Sequence, residues 1–239
     1  MKIGLLFPGQ GSQSLGMGKD LYDNFEEYRN VYTEVLKITG IDIGKITFEN
    51  EELLNQTKYT QLAILTMSLA ILNVINKNIN LKENYLAGLS LGEYSALIRS
   101  GYLSFEDGIR IVSLRGKFMQ EMCPEGKWSM AAVMGADEKS VNEICSTISY
   151  FIKPANFNTI GQIVVSGEEE GIDEFIIKGK ENGIRKILKL NTSGPFHTEK
   201  LIDASKALEK ELENIEFRKS EKNVIKNLDG KEYKAEDNF

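Results

Sequence analysis

The chain opens on a short apolar run, Lys2 to Phe7, cut off by Pro8-Gly9-Gln10-Gly11. Such a run before a glycine-rich break predicts a buried parallel strand feeding a tight loop, with a helix beginning soon after. From Tyr59 to Lys77, Ile64, Leu65, Met67, Ala70, Ile71, Val74 and Ile75 recur at spacings of three and four. That rhythm predicts a helix buried over much of its surface. A second core strand is expected at Tyr85 to Leu89. A helix over Leu91 to Ser100 follows, ended by Gly101 in the left-handed conformation that glycine adopts cheaply. Ser104, with Asp107 three residues on, is placed to cap a further helix over Phe105 to Met122.

From Ser129 the rhythm changes. A strand at Met130 to Val133, a helix at Glu138 to Ile148, strands near Tyr150 to Lys153 and Gln162 to Ser166, a helix at Gly171 to Glu181 and a strand at Ile184 to Leu190 give the order β-α-β-β-α-β. That order predicts a ferredoxin-like subdomain over 127–196, inserted into a main domain of 1–126 and 197–239. An amphipathic helix, Glu199 to Leu212, and a strand at Asn223 to Asn227 return to the first pattern, before a polar end at Lys231 to Phe239.

Composition narrows the class. With 239 residues, 41% hydrophobic and 27% charged, the chain has the balance of a soluble globular protein. A net charge of −6 argues against general attraction to nucleic acid or anionic lipid. Two cysteines, Cys123 and Cys145, lack metal or redox spacing and are expected in the core. Ala63 to Ile75, the longest apolar-rich region, is interrupted by Thr66, Ser68 and Asn73 and reads as a buried helix rather than a membrane span. The amino terminus is too short in apolar residues for a secretory signal, so a cytoplasmic protein is expected.

Candidate chemistry centres on Gly88-Leu89-Ser90-Leu91-Gly92, a G-x-S-x-G sequence with a strand before it and a helix after it. Flanking glycines allow the sharp turn that lifts the Ser90 hydroxyl off the sheet, and the Leu91 amide would face a developing oxyanion. A plain Gly-Ser turn is the alternative. A serine nucleophile needs a base, and the only histidine is His197, in the breaker-rich loop Ser193-Gly194-Pro195-Phe196-His197. Arg115 falls between Val112 and Met119 on an apolar stripe with no acid one turn away, so its partner is either distant in sequence or a ligand. Its fork would suit an acyl group bearing a free carboxylate; snorkelling from the stripe's edge is the other reading. Gly9-Gln10-Gly11-Ser12 fits neither a Walker nor a Rossmann pattern, but Gln10 could supply a second oxyanion amide. Arg185, Lys186 and Lys189 form the densest basic run, read either as a solvated strand face or as a docking patch for an acidic partner.

Phe7-Pro8-Gly9-Gln10-Gly11-Ser12-Gln13, Gly88 to Ser95, Ser113-Leu114-Arg115-Gly116, Pro154 to Asn158, Gly161 to Gly167 and Pro195-Phe196-His197 together resemble the malonyl-CoA:acyl carrier protein transacylases of bacterial fatty acid synthesis. The resemblance covers nearly the whole chain, in order. It implies an α/β fold, with an α/β hydrolase-like main domain built on a parallel sheet and interrupted by the ferredoxin-like subdomain. It further implies Ser90 as nucleophile, His197 as base, Arg115 as clamp on the malonyl carboxylate, the Gln10 and Leu91 amides as oxyanion hole, and Phe196 as a residue selecting malonyl over branched groups. A coenzyme A thioester would be the substrate and acyl carrier protein the partner, with no metal or redox cofactor, no nucleic acid or membrane, and a monomeric state. Two departures stand out. Leu89 replaces the family's common His, and the family's further helix bearing a Gln, extra strand and Gly-Pro-Gly loop do not follow Phe239. A serine hydrolase of the patatin or esterase kind, or an inactive or carrier-binding remnant, are the alternatives.

Overall fold

The computed structural model describes residues 2–123, 126–190, 192, 194–220 and 222–234; residues 235–239 of the polar end lie outside them. In chain order the elements are β1 (Gly4–Phe7), α1 (Lys19–Asn24), α2 (Glu26–Thr39), α3 (Ile43–Glu49), α4 (Glu51–Leu54), α5 (Thr57–Asn78), β2 (Tyr85–Gly88), α6 (Gly92–Ser100), α7 (Phe105–Glu121), β3 (Trp128–Met134), α8 (Glu138–Ser146), β4 (Ile152–Thr159), β5 (Gln162–Glu168), α9 (Glu169–Glu181), β6 (Lys186–Leu190), α10 (Ile202–Leu212) and β7 (Asn223–Ile225). The fold is mixed α/β, with one parallel and one antiparallel sheet. Two compact units result, one of Met1–Lys117 with Leu208–Phe239 and one of Phe118–Ala207.

In the first unit the strands lie in the order β1-β2-β7, all parallel. Phe7 sits opposite Gly88, so the loops leaving β1 and β2 emerge side by side. Helix α5 is long and apolar enough to cross a membrane by length and composition. Yet Leu62, Ala63, Ile64 and Leu65 are all fully buried, with Tyr28, Val31 and Val35 of α2 in the same core. Four successive buried positions cannot share one helix face, so α5 is enclosed by protein on several sides, as its pattern predicts. Gly101 ends α6 at φ 87°. Ser104 caps α7, its Oγ accepting from the Asp107 amide at 3.0 Å and donating to the Asp107 carboxylate at 2.6 Å.

Between β1 and α5 the sequence pattern predicts only one early helix, and the structure has four. Three of them, α1, α3 and α4, are no longer than seven residues, whereas α2 has 14 and buries Tyr28, Val31, Tyr32 and Val35 on one face. α3 and α4 are set by their caps, Asp42 accepting from the Lys45 amide at 2.9 Å and Asn50 from the Leu53 amide at 3.0 Å.

In the second unit β3-α8-β4-β5-α9-β6 forms an antiparallel sheet of order β4-β5-β3-β6. Alternation along β3 divides two cores. Ala131 and Val133 face Val141, Ile172 and Phe175, whereas Trp128, Met130 and Ala132 pack with Met119, Cys123 and Phe196. Strand β4 runs on past the expected stop at Lys153, through Pro154. It is an edge strand, where a missing N–H breaks no second ladder, and its register shifts between Pro154 and Asn156. The expected helix over Glu199 to Leu212 begins as a 3₁₀ turn, Glu199–Leu201. Cys123 and Cys145 are buried, and burial pushes their thiols up to about 11 and about 12, so neither is a nucleophile at neutral pH.

Candidate active site

Strand β2 stops at Gly88 and α6 starts at Gly92, leaving three residues to turn the chain. Ser90 makes that turn at φ 51°, in the left-handed region. Among the described residues only one other non-glycine shares a positive φ, His197 at 60°. Such conformations persist only where the surroundings enforce them, and they collect at functional positions. Sterics dictate the two glycines. A Cβ on Gly88 would sit 2.0 Å from the Gly92 carbonyl carbon, and one on Gly92 would sit 2.3 Å from the Phe7 carbonyl oxygen. Gly9, on the neighbouring loop, meets the Leu89 carbonyl in the same way at 2.7 Å. Leu89 itself points outward, 48% exposed, where the resemblance leads one to expect His.

The Leu91 side chain is fully buried and anchors the start of α6. Helical bonding begins just after it, with the Gly92 amide donating to the Leu89 carbonyl at 2.9 Å and the Glu93 amide to that of Ser90 at 3.2 Å. The Leu91 N–H therefore lies ahead of the helix, at its positive end.

Arg115 reaches the elbow from α7. Its Nη2 donates to Ser90 Oγ at 3.0 Å and its Nη1 to Gln61 Oε1 at 2.5 Å, while the guanidinium lies 5.7 Å from the centre of the Tyr94 ring. Gln61 passes the contact on to Gln10 Oε1 at 3.4 Å, and Gln10 Nε2 donates to Thr57 Oγ1 at 3.3 Å. Burial lowers the Arg115 pKa from its ordinary 12.5, partly offset by Tyr94 and Glu93. The close approach that makes this possible occurs at Gly116, where a Cβ would stand 2.9 Å from the Lys58 Cα. Arg115 thus has partners distant in sequence, and none of the three is an acid. The snorkelling reading does not hold, because the fork is turned inward onto Ser90.

Ser90, Leu91, Arg115 and Gln10 accordingly fall in one neighbourhood of the first unit. His197 and Phe196 belong to the second unit. There Thr198 Oγ1 donates to the Pro195 carbonyl at 2.7 Å and braces the turn that leaves the His197 side chain exposed. Phe196 is 5% exposed and packed with Cys123, Trp128 and Met130, and the absence of a Cβ on Gly194 makes room for its ring. Ser193 lies outside the described residues. Of the basic run, Lys189 is held by Asp173 at 2.6 Å and Glu169 at 3.1 Å, so it is compensated within its own unit; Arg185 and Lys186 are exposed.

Pattern reading passes over three side chains around Ser90 and Arg115: Gln61 and the Tyr94 ring, which lie against Arg115, and Asn227, whose Oδ1 accepts from the Ser90 amide at 2.7 Å. Gln61 leaves a faint signal as a fully buried polar residue at the head of an apolar helix. Asn227 looks like ordinary turn chemistry in Asn227-Leu228-Asp229-Gly230.

A nucleophile elbow on a parallel sheet, with a cationic fork on the serine oxygen, defines an acyl-transferring class. Residues 5–237 match the acyl transferase domain family, and the chain belongs to it. Its relatives within the family are malonyl CoA-acyl carrier protein transacylases. That of Staphylococcus aureus is 39% identical over 231 residues, 95% of this chain and 74% of the relative; that of Bacillus subtilis is 37% identical, with 95% and 73% covered. The crystal structure of malonyl CoA-acyl carrier protein transacylase from Clostridium perfringens superposes with a TM-score of 0.90 at 44% identity, covering 100% of this chain and 76% of that one. A type II PKS acyl-carrier protein in complex with its malonyl-transacylase gives a TM-score of 0.93 at 36% identity, with 98% and 77% covered.

Proposed function

We propose that the chain transfers the malonyl group from malonyl-CoA to the phosphopantetheine thiol of acyl carrier protein, through a malonyl-Ser90 intermediate. Ser90 Oγ attacks the thioester carbonyl while His197 takes its proton. The amides of Gln10 and Leu91 hold the resulting oxyanion. Collapse breaks the carbon–sulfur bond, and the departing coenzyme A thiolate receives the proton from His197. The carrier thiol then attacks the malonyl ester by the same steps in reverse and regenerates the Ser90 hydroxyl.

The observation that carries this reading is the Arg115 fork on Ser90 Oγ at 3.0 Å. A cation there can exchange its neutral partners for the free carboxylate of a malonyl group, whereas a general esterase gains nothing from a desolvated guanidinium beside its nucleophile. Phe196 is assigned the selection of malonyl over branched groups. The parallel sheet with its elbow supports an α/β hydrolase-like first unit, and the order β4-β5-β3-β6 supports a ferredoxin-like second one. The same reading takes the protein to be cytoplasmic and monomeric, and to act without metal or redox cofactor.

Incubation with malonyl-CoA, followed by peptide mapping, is expected to show one malonyl group on Ser90 and none after Ser90→Ala. Passage of that group to holo carrier marks a transferase. Release of free malonate marks a hydrolase, and carrier binding without labelling marks a remnant; either would overturn the assignment.

A further inference from the structure

Strands β2 and β7 are parallel neighbours, with Ala87 opposite Ile225. Residues just past their ends are therefore brought together: Leu89 and Ser90 beyond β2, Asn227 beyond β7. Asn227 sits in a braced turn, in which the Lys226 amide donates to the Lys231 carbonyl at 2.7 Å and the Tyr233 amide to the Val224 carbonyl at 2.9 Å. Its own amide donates to Glu93 Oε1 at 2.9 Å, and the Tyr233 hydroxyl donates to that same oxygen at 2.9 Å. Glu93 stands in the first turn of α6, three residues from the nucleophile.

The Ser90 amide needs such a partner. Ladder pairing of β2 with β1 ends at Gly88, and the first bond of the following turn is that of the Gly92 amide, so the Ser90 N–H falls between the two systems. The Asn227 side-chain carbonyl takes it at 2.7 Å, across 137 residues of sequence. A serine at φ 51° would relax without restraints on both sides of the turn. One restraint is the covalent run into α6; the other is Asn227.

We propose that Asn227 is a positioning residue for the Ser90 nucleophile, held in register by Glu93 and Tyr233. It touches neither acyl group nor carrier. Its contribution is the aim of Ser90 Oγ relative to Arg115 and the Leu91 amide. Small misplacements of a reacting atom lower rate steeply, by up to about 100-fold for a shift near 1 Å, without weakening binding. The proposal rests on Ser90 being an acylated nucleophile, as argued above.

The test measures the rate of Ser90 labelling by malonyl-CoA and, separately, by a fluorophosphonate, which reports an activated serine whatever its natural substrate. For Asn227→Ala, both rates are expected to fall about 10- to 100-fold with the KM for malonyl-CoA unchanged. Asn227→Asp keeps an acceptor in place and is expected to recover most of the fluorophosphonate rate. Asn227 is exposed, so Ala opens no core cavity; should it nonetheless unfold the chain, Asn227→Ser, too short to reach the Ser90 amide, is expected to show the same loss. Native rates in Ala or Ser, a raised KM with unchanged kcat, or an Asp variant as slow as Ala would overturn the proposal. So would a native chain that takes up neither reagent. A native chain labelled by the fluorophosphonate alone would sink the malonyl assignment while still deciding the role of Asn227.

Discussion

Arg115 is a planar cation whose polar partners in the resting protein are uncharged: the Ser90 hydroxyl, the Gln61 amide oxygen and the Tyr94 ring. Burial lowers the guanidinium pKa, and these neutral hydrogen-bond partners, with the Glu93 charge acting through space, offset it only in part. On the proposed function, the free carboxylate of a malonyl group would complete the compensation. Arg115→Ala is therefore expected to lower malonyl transfer by a loss of about 2 to 5 kcal/mol, the range for truncating one partner of a buried charged pair. Acetyl-CoA, which has no carboxylate, should be used as well as before or better. Steady-state kinetics with the two thioesters decide the matter, and a parallel fall would make Arg115 a structural residue. At this scale the sequence was informative where a residue broke a pattern. A cation on an apolar stripe, a serine between glycines and a lone histidine all stand out against their neighbours. Gln61 and Asn227 do not, because each is unremarkable in its own element and matters only through a partner far along the chain.

At the scale of elements, legibility followed length and chemistry. Helix α5, with 22 residues of which most near its centre are buried, is written in its apolar spacing. Helix α7 is announced by its cap. Removing that cap with Ser104→Ala breaks the bonds to the Asp107 amide and carboxylate and should lower stability by about 1 kcal/mol. The urea midpoint is expected to fall at constant slope, since the surface exposed on unfolding is the same. Helices of four to seven residues, such as α1, α3 and α4, span too few turns for a periodicity to register. The caps of α3 and α4, Asp42 and Asn50, are visible in retrospect, but Asp and Asn also mark ordinary turns.

Within the first unit the carboxyl-terminal segment is tied back to the rest by a buried charge. The Glu83 side chain is 2% exposed and pairs with Arg99 at 2.9 Å and Lys222 at 2.5 Å. Alongside, Ser220 Oγ donates to the Ser100 carbonyl and the Arg218 amide to that of Tyr102. Burial alone would raise the Glu83 pKa, but the bonds from Lys222 and Arg99 outweigh it and hold the carboxyl below its ordinary 4.5. A depressed carboxyl contributes stability that is present above the unfolded value and lost as pH falls through the folded one. Glu83→Gln should thus lower the melting temperature at neutral pH. It should also flatten the decline on acidification below about pH 4.5. Thermal melts of both proteins across that range check the sign, and parallel curves would mean that the pair contributes nothing to the acid response. Replacing one member of a buried pair leaves the others uncompensated, a loss on the order of 3 kcal/mol, reduced here because Lys222 keeps contact with water.

The sequence by itself determined the mixed α/β character, the β-α-β-β-α-β order of the second unit, the strand–elbow–helix around Ser90 and the capped helix carrying Arg115. Each of these is a statement about residues within a few turns of one another, where backbone periodicity converts spacing into geometry. Only the tertiary structure decided that Gln61 and Ser90, 54 and 25 residues from Arg115, receive its fork. The same holds for Lys189, which the sequence presents in a basic run and packing pairs with two carboxylates. It holds most of all for Asn227, 137 residues from Ser90, because the parallel order β1-β2-β7 alone brings the ends of β2 and β7 to one place. Which strand lies beside which is settled by the summed burial of the whole core, and no local spacing carries that information.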